Sequence, residues 1–160
     1  MALSTQELVA SLQNEVRILL HLAGKIEPTM IDYRPTPKQR STIELLRYLS
    51  IMGPGLVNAI KTGNFDGEAW GKATAAAAAK DLDAIVADIA KQSDLYAKEV
   101  PGIDFATELD MFGRKFSKGF HIVNLVLSGH AAYRTQLFLY LKSCGRDELT
   151  TANLWGGMDA

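Results

Sequence analysis

One cysteine, three histidines and five prolines in 160 residues set narrow limits on what this chain can do. Cys144 has no second cysteine to pair with, so an intrachain disulfide is excluded, and a thiolate zinc site or cluster with it. The thiol falls at the end of the last helical segment, where it reads as packed rather than nucleophilic. An excess of one charge is also missing. Lysine and arginine total 17 and the acids 18, a formal net charge of -1, which gives no nucleic-acid footprint and no acidic tail. Basic residues gather only locally, at Lys38, Arg40 and Arg47 and again at Arg114, Lys115 and Lys118, and the second group reads as a solvated helix start. No apolar run approaches the roughly 20 residues of a membrane span. Met1-Ala2-Leu3-Ser4 passes straight into a charged amphipathic segment without a signal-peptide pattern. The expectation is a cytoplasmic protein that binds neither membrane nor nucleic acid.

What the chain has instead is helical periodicity. Ser4 to Ala23 opens with a capping box, Ser4 with Glu7, and carries Leu8, Leu12, Val16, Leu19 and Ala23 as one stripe. Gly24 is placed to end it in a left-handed turn. Lys25 to Gln39 is a loop punctuated by Pro28, Pro35 and Pro37. Ser41 with Glu44 is a second capping box. It opens a helix to Lys61 with Leu45, Tyr48, Leu49 and Met52 inward, and Gly53-Pro54-Gly55 predicts a kink or short break there. Thr62 to Lys72, with Phe65 and Trp70, reads as a loop over a bundle end. The Ala75 to Ala79 run leads into a third helix to Lys98, with Leu82, Ile85, Ile89 and Leu95 inward, stopped by Pro101-Gly102. Ile103 to Phe116 is a long connection. A fourth helix runs from Ser117 to Ser143, capped by Gly145, and the tail packs back through Trp155. No β alternation competes with these segments. The pattern predicts an all-α, four-helix bundle with long loops and a packed C-terminal tail, one domain over 1–160 with helices near 4–23, 41–61, 75–98 and 117–143.

The last helix is the unusual one. Val126, His130, Tyr133, Leu137 and Tyr140 step by four, three, four and three, one stripe of a helix. An imidazole and two phenols on such a stripe need partners. Arg134 and Gln136 beside it read as helix-surface or inter-subunit contacts. The metal motifs of other bundles are absent. There is no Glu-x-x-His pair for a di-iron centre and no His-Glu-x-x-His. With only His21, His121 and His130, a three-histidine site has to use all of them.

Two stretches carry a family resemblance. Arg34-Pro35-Thr36-Pro37-Lys38-Gln39-Arg40-Ser41 followed by Thr42-Ile43-Glu44-Leu45-Leu46-Arg47-Tyr48-Leu49 resembles a proline-rich approach, a serine, then Glu-Leu-Leu-x-His-Leu. Tyr133-Arg134-Thr135-Gln136-Leu137 is similar to His-Arg-Gly-Gln-Leu, and Tyr140-Leu141-Lys142 to Gly145 continues the likeness. Both are features of the DinB/YfiT-like superfamily of four-helix bundles, and the resemblance spans roughly 4 to 157. It implies a divalent metal held by one histidine of the second helix and two of the fourth. Aligned on the motifs, those ligand positions fall on Tyr48, Gly129 and Tyr133, so all three histidines are replaced. His130 is one residue past the middle position, about 100° around the helix. Two phenolates at neutral pH need a strong cation, and glycine offers no ligand. A degenerate, metal-free site is the reading that follows.

Glu44, Tyr48, His130 and Tyr133 are then the pocket candidates at the former metal position, and no catalytic residue is assigned. The function expected is a DinB-like small-ligand-binding or interaction protein. The resemblance also implies an alternative, a metal-dependent enzyme of thiol-transferase, isomerase or hydrolase type, in which the metal lowers the pKa of a bound thiol. Zinc, nickel or iron enters only through another ligand set, such as Glu44, His130 and Tyr133. Homodimerisation is what the family implies for partners.

Overall fold

The two capping boxes set where the bundle begins. In the computed structural model, which describes residues 3–160, α1 (Thr5–Ala23) starts where the Ser4 hydroxyl accepts from the Glu7 N–H and the Glu7 carboxylate accepts from the Ser4 N–H at 2.8 Å. The sequence reading of Met1-Ala2 lies outside the described residues. Ser41 and Glu44 repeat the device at α2 (Thr42–Thr62). Leu8, Leu12, Val16 and Leu19 of α1 and Leu45, Leu49, Met52 and Ile60 of α2 bury their side chains in a shared core. Gly24, expected to turn left-handed, is right-handed at φ −65°. The chain leaves α1 by tightening instead, Lys25 N–H donating to the Leu22 carbonyl at 2.9 Å. Left-handed glycines close α2 at Gly63 and the last helix at Gly145.

The expected third helix, 75–98, is divided into three. α3 (Gly67–Ala78) starts inside what reads as a loop, because Asp66 caps it through the Ala69 N–H. α4 (Leu82–Ala90) restarts three residues beyond the alanine run, capped in the same way by Asp81 on Ala84. α5 (Gln92–Glu99) follows after Lys91. Alanine favours helix but has little surface to bury, and of Ala75 to Ala79 only Ala77 is buried. The two aspartate caps therefore decide the boundaries. Ile85, Ile89 and Tyr96 point into the core, whereas Leu82 and Leu95 are only half-buried.

The Ile103 to Phe116 connection contains a hairpin that the sequence reading did not find. β1 (Glu108–Met111) and β2 (Arg114–Ser117) pair antiparallel, from Glu108 opposite Ser117 to Met111 opposite Arg114. The two-residue loop puts both Phe112 (φ 55°) and Gly113 (φ 76°) in the left-handed region, as a type I′ turn requires. The fourth helical segment spans α6 (Lys118–His121), a π-type stretch (Ile122–Leu127) and α7 (Ser128–Ser143).

The tail packs on α1 and α7, but not through Trp155, which is 68% exposed. Arg134 carries that contact. Its guanidinium meets the Glu15 carboxylate at 2.5 Å and donates to the Leu154 carbonyl, so it is buried and is not the surface residue expected. Gln136 donates to the Tyr140 hydroxyl at 2.6 Å, which donates to the Arg40 carbonyl at 2.8 Å.

Pro54 sits inside α2 without breaking it. A helix interior would use the N–H of residue 54 to satisfy the Ser50 carbonyl, and proline has none. Gln92 of α5 supplies the missing donor. Its amide donates to the Leu49 carbonyl at 2.8 Å and the Ser50 carbonyl at 3.2 Å. Gly53 lets Gln92 and Tyr96 approach, since a Cβ there would lie 2.9 Å from Gln92 Oε1 and 1.9 Å from the Tyr96 hydroxyl oxygen. Replacing Gln92→Leu should therefore cost about 2–4 kcal/mol, leaving the Ser50 carbonyl and the Tyr96 hydroxyl without their partner. Urea unfolding of the two proteins measures it; a loss under about 0.5 kcal/mol, the range of a neutral surface change, would rule the account out.

Candidate functional site

Tyr48 on α2 and Tyr133 on α7 meet edge to face, ring centroids 5.0 Å apart. Trp70 of α3 stands 6.3 Å from Tyr48, Phe65 5.4 Å from Trp70, and Phe112 of the hairpin tip 5.5 Å from Phe65. Five rings thus form a row from α7 across α2 and α3 to the hairpin. They line a cavity of about 600 Å³ together with Met52, Leu56, Leu125 and Gly129. Trp70 reaches the α2 backbone because residue 55 is glycine; a Cβ there would lie 2.7 Å from the indole ring. It is a side wall, and the end-lid role expected of it does not describe where it sits.

The three positions aligned with metal ligands, Tyr48, Gly129 and Tyr133, line this one cavity. Their chemistry does not fit a divalent metal. Burial pushes the Tyr48 phenol up to about 12, the Tyr133 hydroxyl adding to it, although the Arg40 guanidinium 4.0 Å above the ring pulls the other way. A phenol so shifted stays protonated and is a hydrogen-bonding group rather than a ligand. At Gly129 an added Cβ would meet the Met52 sulfur at 3.0 Å, so the thioether occupies the space beside the missing side chain. Among the described residues, no three His, Cys, Asp or Glu side chains gather closely enough to hold a metal ion.

The other two pocket candidates lie elsewhere. Glu44 lines a neighbouring cavity and is committed to its cap. Its carboxylate accepts from the Ser41 N–H at 2.7 Å and pairs with Arg34 at 3.0 Å, contacts that hold it below the usual carboxylate range. His130 faces the core, 1% exposed, its Nε2 2.5 Å from the Tyr96 hydroxyl. The alternative set Glu44, His130 and Tyr133 is therefore not brought together. The histidines stay apart as well: the His21 ring accepts from Asn153 at 3.1 Å, and the His121 Nε2–H donates to the Leu109 carbonyl at 2.9 Å. Burial raises the Cys144 thiol, which keeps it protonated and weakly nucleophilic.

Sequence reasoning gave Phe65, Trp70 and Phe112 no place in a site, and Arg40 none. The alternation Leu109, Met111 before Phe112-Gly113 was the available hairpin signal. Comparison with protein-family models gives no match, and comparison with curated protein sequences gives none either. Among solved structures, a DinB-like protein from Bacillus subtilis, YjoA, superposes with a TM-score of 0.69 over 90% of this chain and 95% of that one, at 21% identity. The fold is DinB-like. The hairpin and the divided third helical region are thus features of a DinB-like bundle in this chain. No helix among the described residues is long and apolar enough to cross a membrane.

His130 links the site helix to a pH dependence. The buried network closes when its Nε2–H donates to the Tyr96 oxygen, the Tyr96 hydroxyl donates to Gln92 Oε1 at 3.1 Å, and His130 Nδ1 is left as an unpartnered acceptor. Burial depresses the imidazole from 6.5 to about 4. Below pH 6.5 the unfolded chain therefore binds a proton that the folded chain refuses until about pH 4, and stability falls as pH drops through that window. Between about pH 7 and about pH 4.5 the loss assigned to this group is about 2–3 kcal/mol. His130→Gln keeps a donor without a titration, so it should lose that much less than the parent across the window. Parallel slopes in denaturant titrations of the two proteins would contradict the assignment.

Proposed function

We propose that this chain is a small-ligand-binding bundle in which an aromatic cleft stands where the DinB/YfiT-like resemblance places a metal. One observation carries the reading: Tyr48, Gly129 and Tyr133, the three aligned ligand positions, line a single cavity of about 600 Å³ walled by Trp70, Phe65 and Phe112. That volume lies in the range of small-molecule sites, which are mostly apolar with a few convergent polar groups. Of the polar side chains lining it, Asn124 and Ser128 donate to the Phe120 and Val123 carbonyls of their own helical segment, which leaves the Tyr48 and Tyr133 hydroxyls. These hydroxyls orient a bound molecule by hydrogen bonds, and the rings hold its apolar part by edge and face contacts. No histidine, cysteine, acid or base lines the cavity among its described residues, and the Ser128 hydroxyl on its wall donates to the Val123 carbonyl with no base beside it, which favours binding over covalent chemistry.

Two measurements on the untagged protein, purified without chelator, test this. Elemental analysis with zinc, nickel, iron and manganese titrations should find no stoichiometric metal; near-stoichiometric metal would overturn the aromatic-cleft reading. The neutral fluorophore N-phenyl naphthylamine should bind and brighten. Trp70→Ala should weaken it about three- to ten-fold, the range expected for one aromatic contact. Unchanged affinity in Trp70→Ala would place the probe elsewhere and count against the proposal.

A further inference from the structure

The second cavity, about 500 Å³, shares Tyr48 and Trp70 with the aromatic cleft. Its composition is different. Arg34, Lys38, Arg40 and Arg47 all border it, against one carboxylate, Glu44. Glu44 is taken up by the Ser41 N–H and by Arg34. Among the described residues no ion pair joins Lys38, Arg40 or Arg47 to an acid. Several cations elsewhere are matched: Lys61 with Glu99, Lys80 and Lys91 with Asp88, Arg146 with Glu27. Two of the three, Arg40 and Arg47, are also held in place. Arg47 Nε and Nη2 donate to the Lys80 carbonyl at 3.1 and 2.7 Å, which fixes the fork and leaves Nη1 uncommitted. The Arg40 guanidinium lies 4.0 Å over the Tyr48 ring centroid. The facing wall is apolar, formed by Ile51, Ala77 and Ala78.

A concave space with pre-positioned, uncompensated guanidinium groups at one side and apolar surface at the other selects an oxyanion on an apolar body. From this we infer that the ligand of the proposed site is a small organic anion, with its carboxylate or phosphate among Lys38, Arg40 and Arg47 and its flat apolar part against Tyr48 and Trp70. The inference rests on the proposed ligand-binding function and adds the charge and chemical class of the ligand. It assigns Lys38, Arg40 and Arg47 a recognition role, with Arg34 and Glu44 shaping the rim as a neutral pair.

The test compares two probes that share an aromatic body, anilinonaphthalene sulfonate and neutral N-phenyl naphthylamine. Full-length Trp155→Phe protein is used so that Trp70 is the remaining tryptophan. The anionic probe should bind more tightly, with energy transfer from Trp70, and weaken with added salt. Lys38→Gln with Arg40→Gln should reduce its affinity about ten-fold and leave the neutral probe unchanged. Arg114→Gln with Lys115→Gln, on the hairpin and outside the lining of the charged cavity, should change neither. Naphthoate or naphthyl phosphate should displace the anionic probe. Equal affinity for the two probes, or displacement by neither competitor, would overturn the inference while leaving the aromatic cleft intact. So would an equal loss in the hairpin double variant. Failure of both probes to bind would overturn the proposed function with it. Thermal unfolding of each double variant, expected to match the parent, excludes a folding defect as the cause of lost binding.

Discussion

A single missing N–H organises the middle of this protein. Pro54 removes the donor that the Ser50 carbonyl would have used, beside the buried Met52 and Gly53 of α2. The side-chain amide of Gln92 replaces it, and this fixes the register of α5 against α2. Tyr96, one turn on, then lies over Gly53 and reaches His130 of α7. Three helices are tied by one chain of polar groups inside a hydrophobic core. Low dielectric makes each of its bonds strong, and makes each missing partner costly. The position of α7 relative to α2, which brings Tyr133 onto Tyr48, depends on that chain.

Much of the bundle was legible in the residues. Both capping boxes, the stripes of α1 and α2 and the extent of the fourth helical segment are local patterns, and local patterns survive folding. The pairing of position 48 with 133 was also legible, through the family resemblance. Three things were not. The alanine run masked two aspartate caps, because propensity was weighed above capping at Asp66 and Asp81. The hairpin hid in four-residue strands, and its turn uses a phenylalanine where Asn or Asp would have announced it. His130 was grouped with the tyrosines because it shares their stripe. A stripe has width, however, and one residue's rotation separates the Tyr96 side of α7 from the Tyr48 side.

The polar groups of the two sides consequently have opposite assignments. On the core side, imidazole, phenol and amide hydrogen-bond to one another and are shut from solvent, with His130 Nδ1 left over. On the cleft side, two phenols, an indole and a set of uncompensated cations border open volume. Equivalent residue types do structural work on one face of α7 and remain free for a guest on the other. Burial and partners distinguish them, and residue identity alone does not.

The contact between Gly129 and Met52 bears on how this bundle could change. A histidine installed at 129 alone would have to push aside a thioether 3.0 Å from its Cβ, and it would still face tyrosines at 48 and 133 rather than histidines. A first substitution toward a histidine triplet therefore either crowds the thioether beside 129 or removes a ring of the aromatic cleft at 48 or 133. A designer seeking a metalloprotein on this scaffold would do better to replace all four positions, Met52 included, at once.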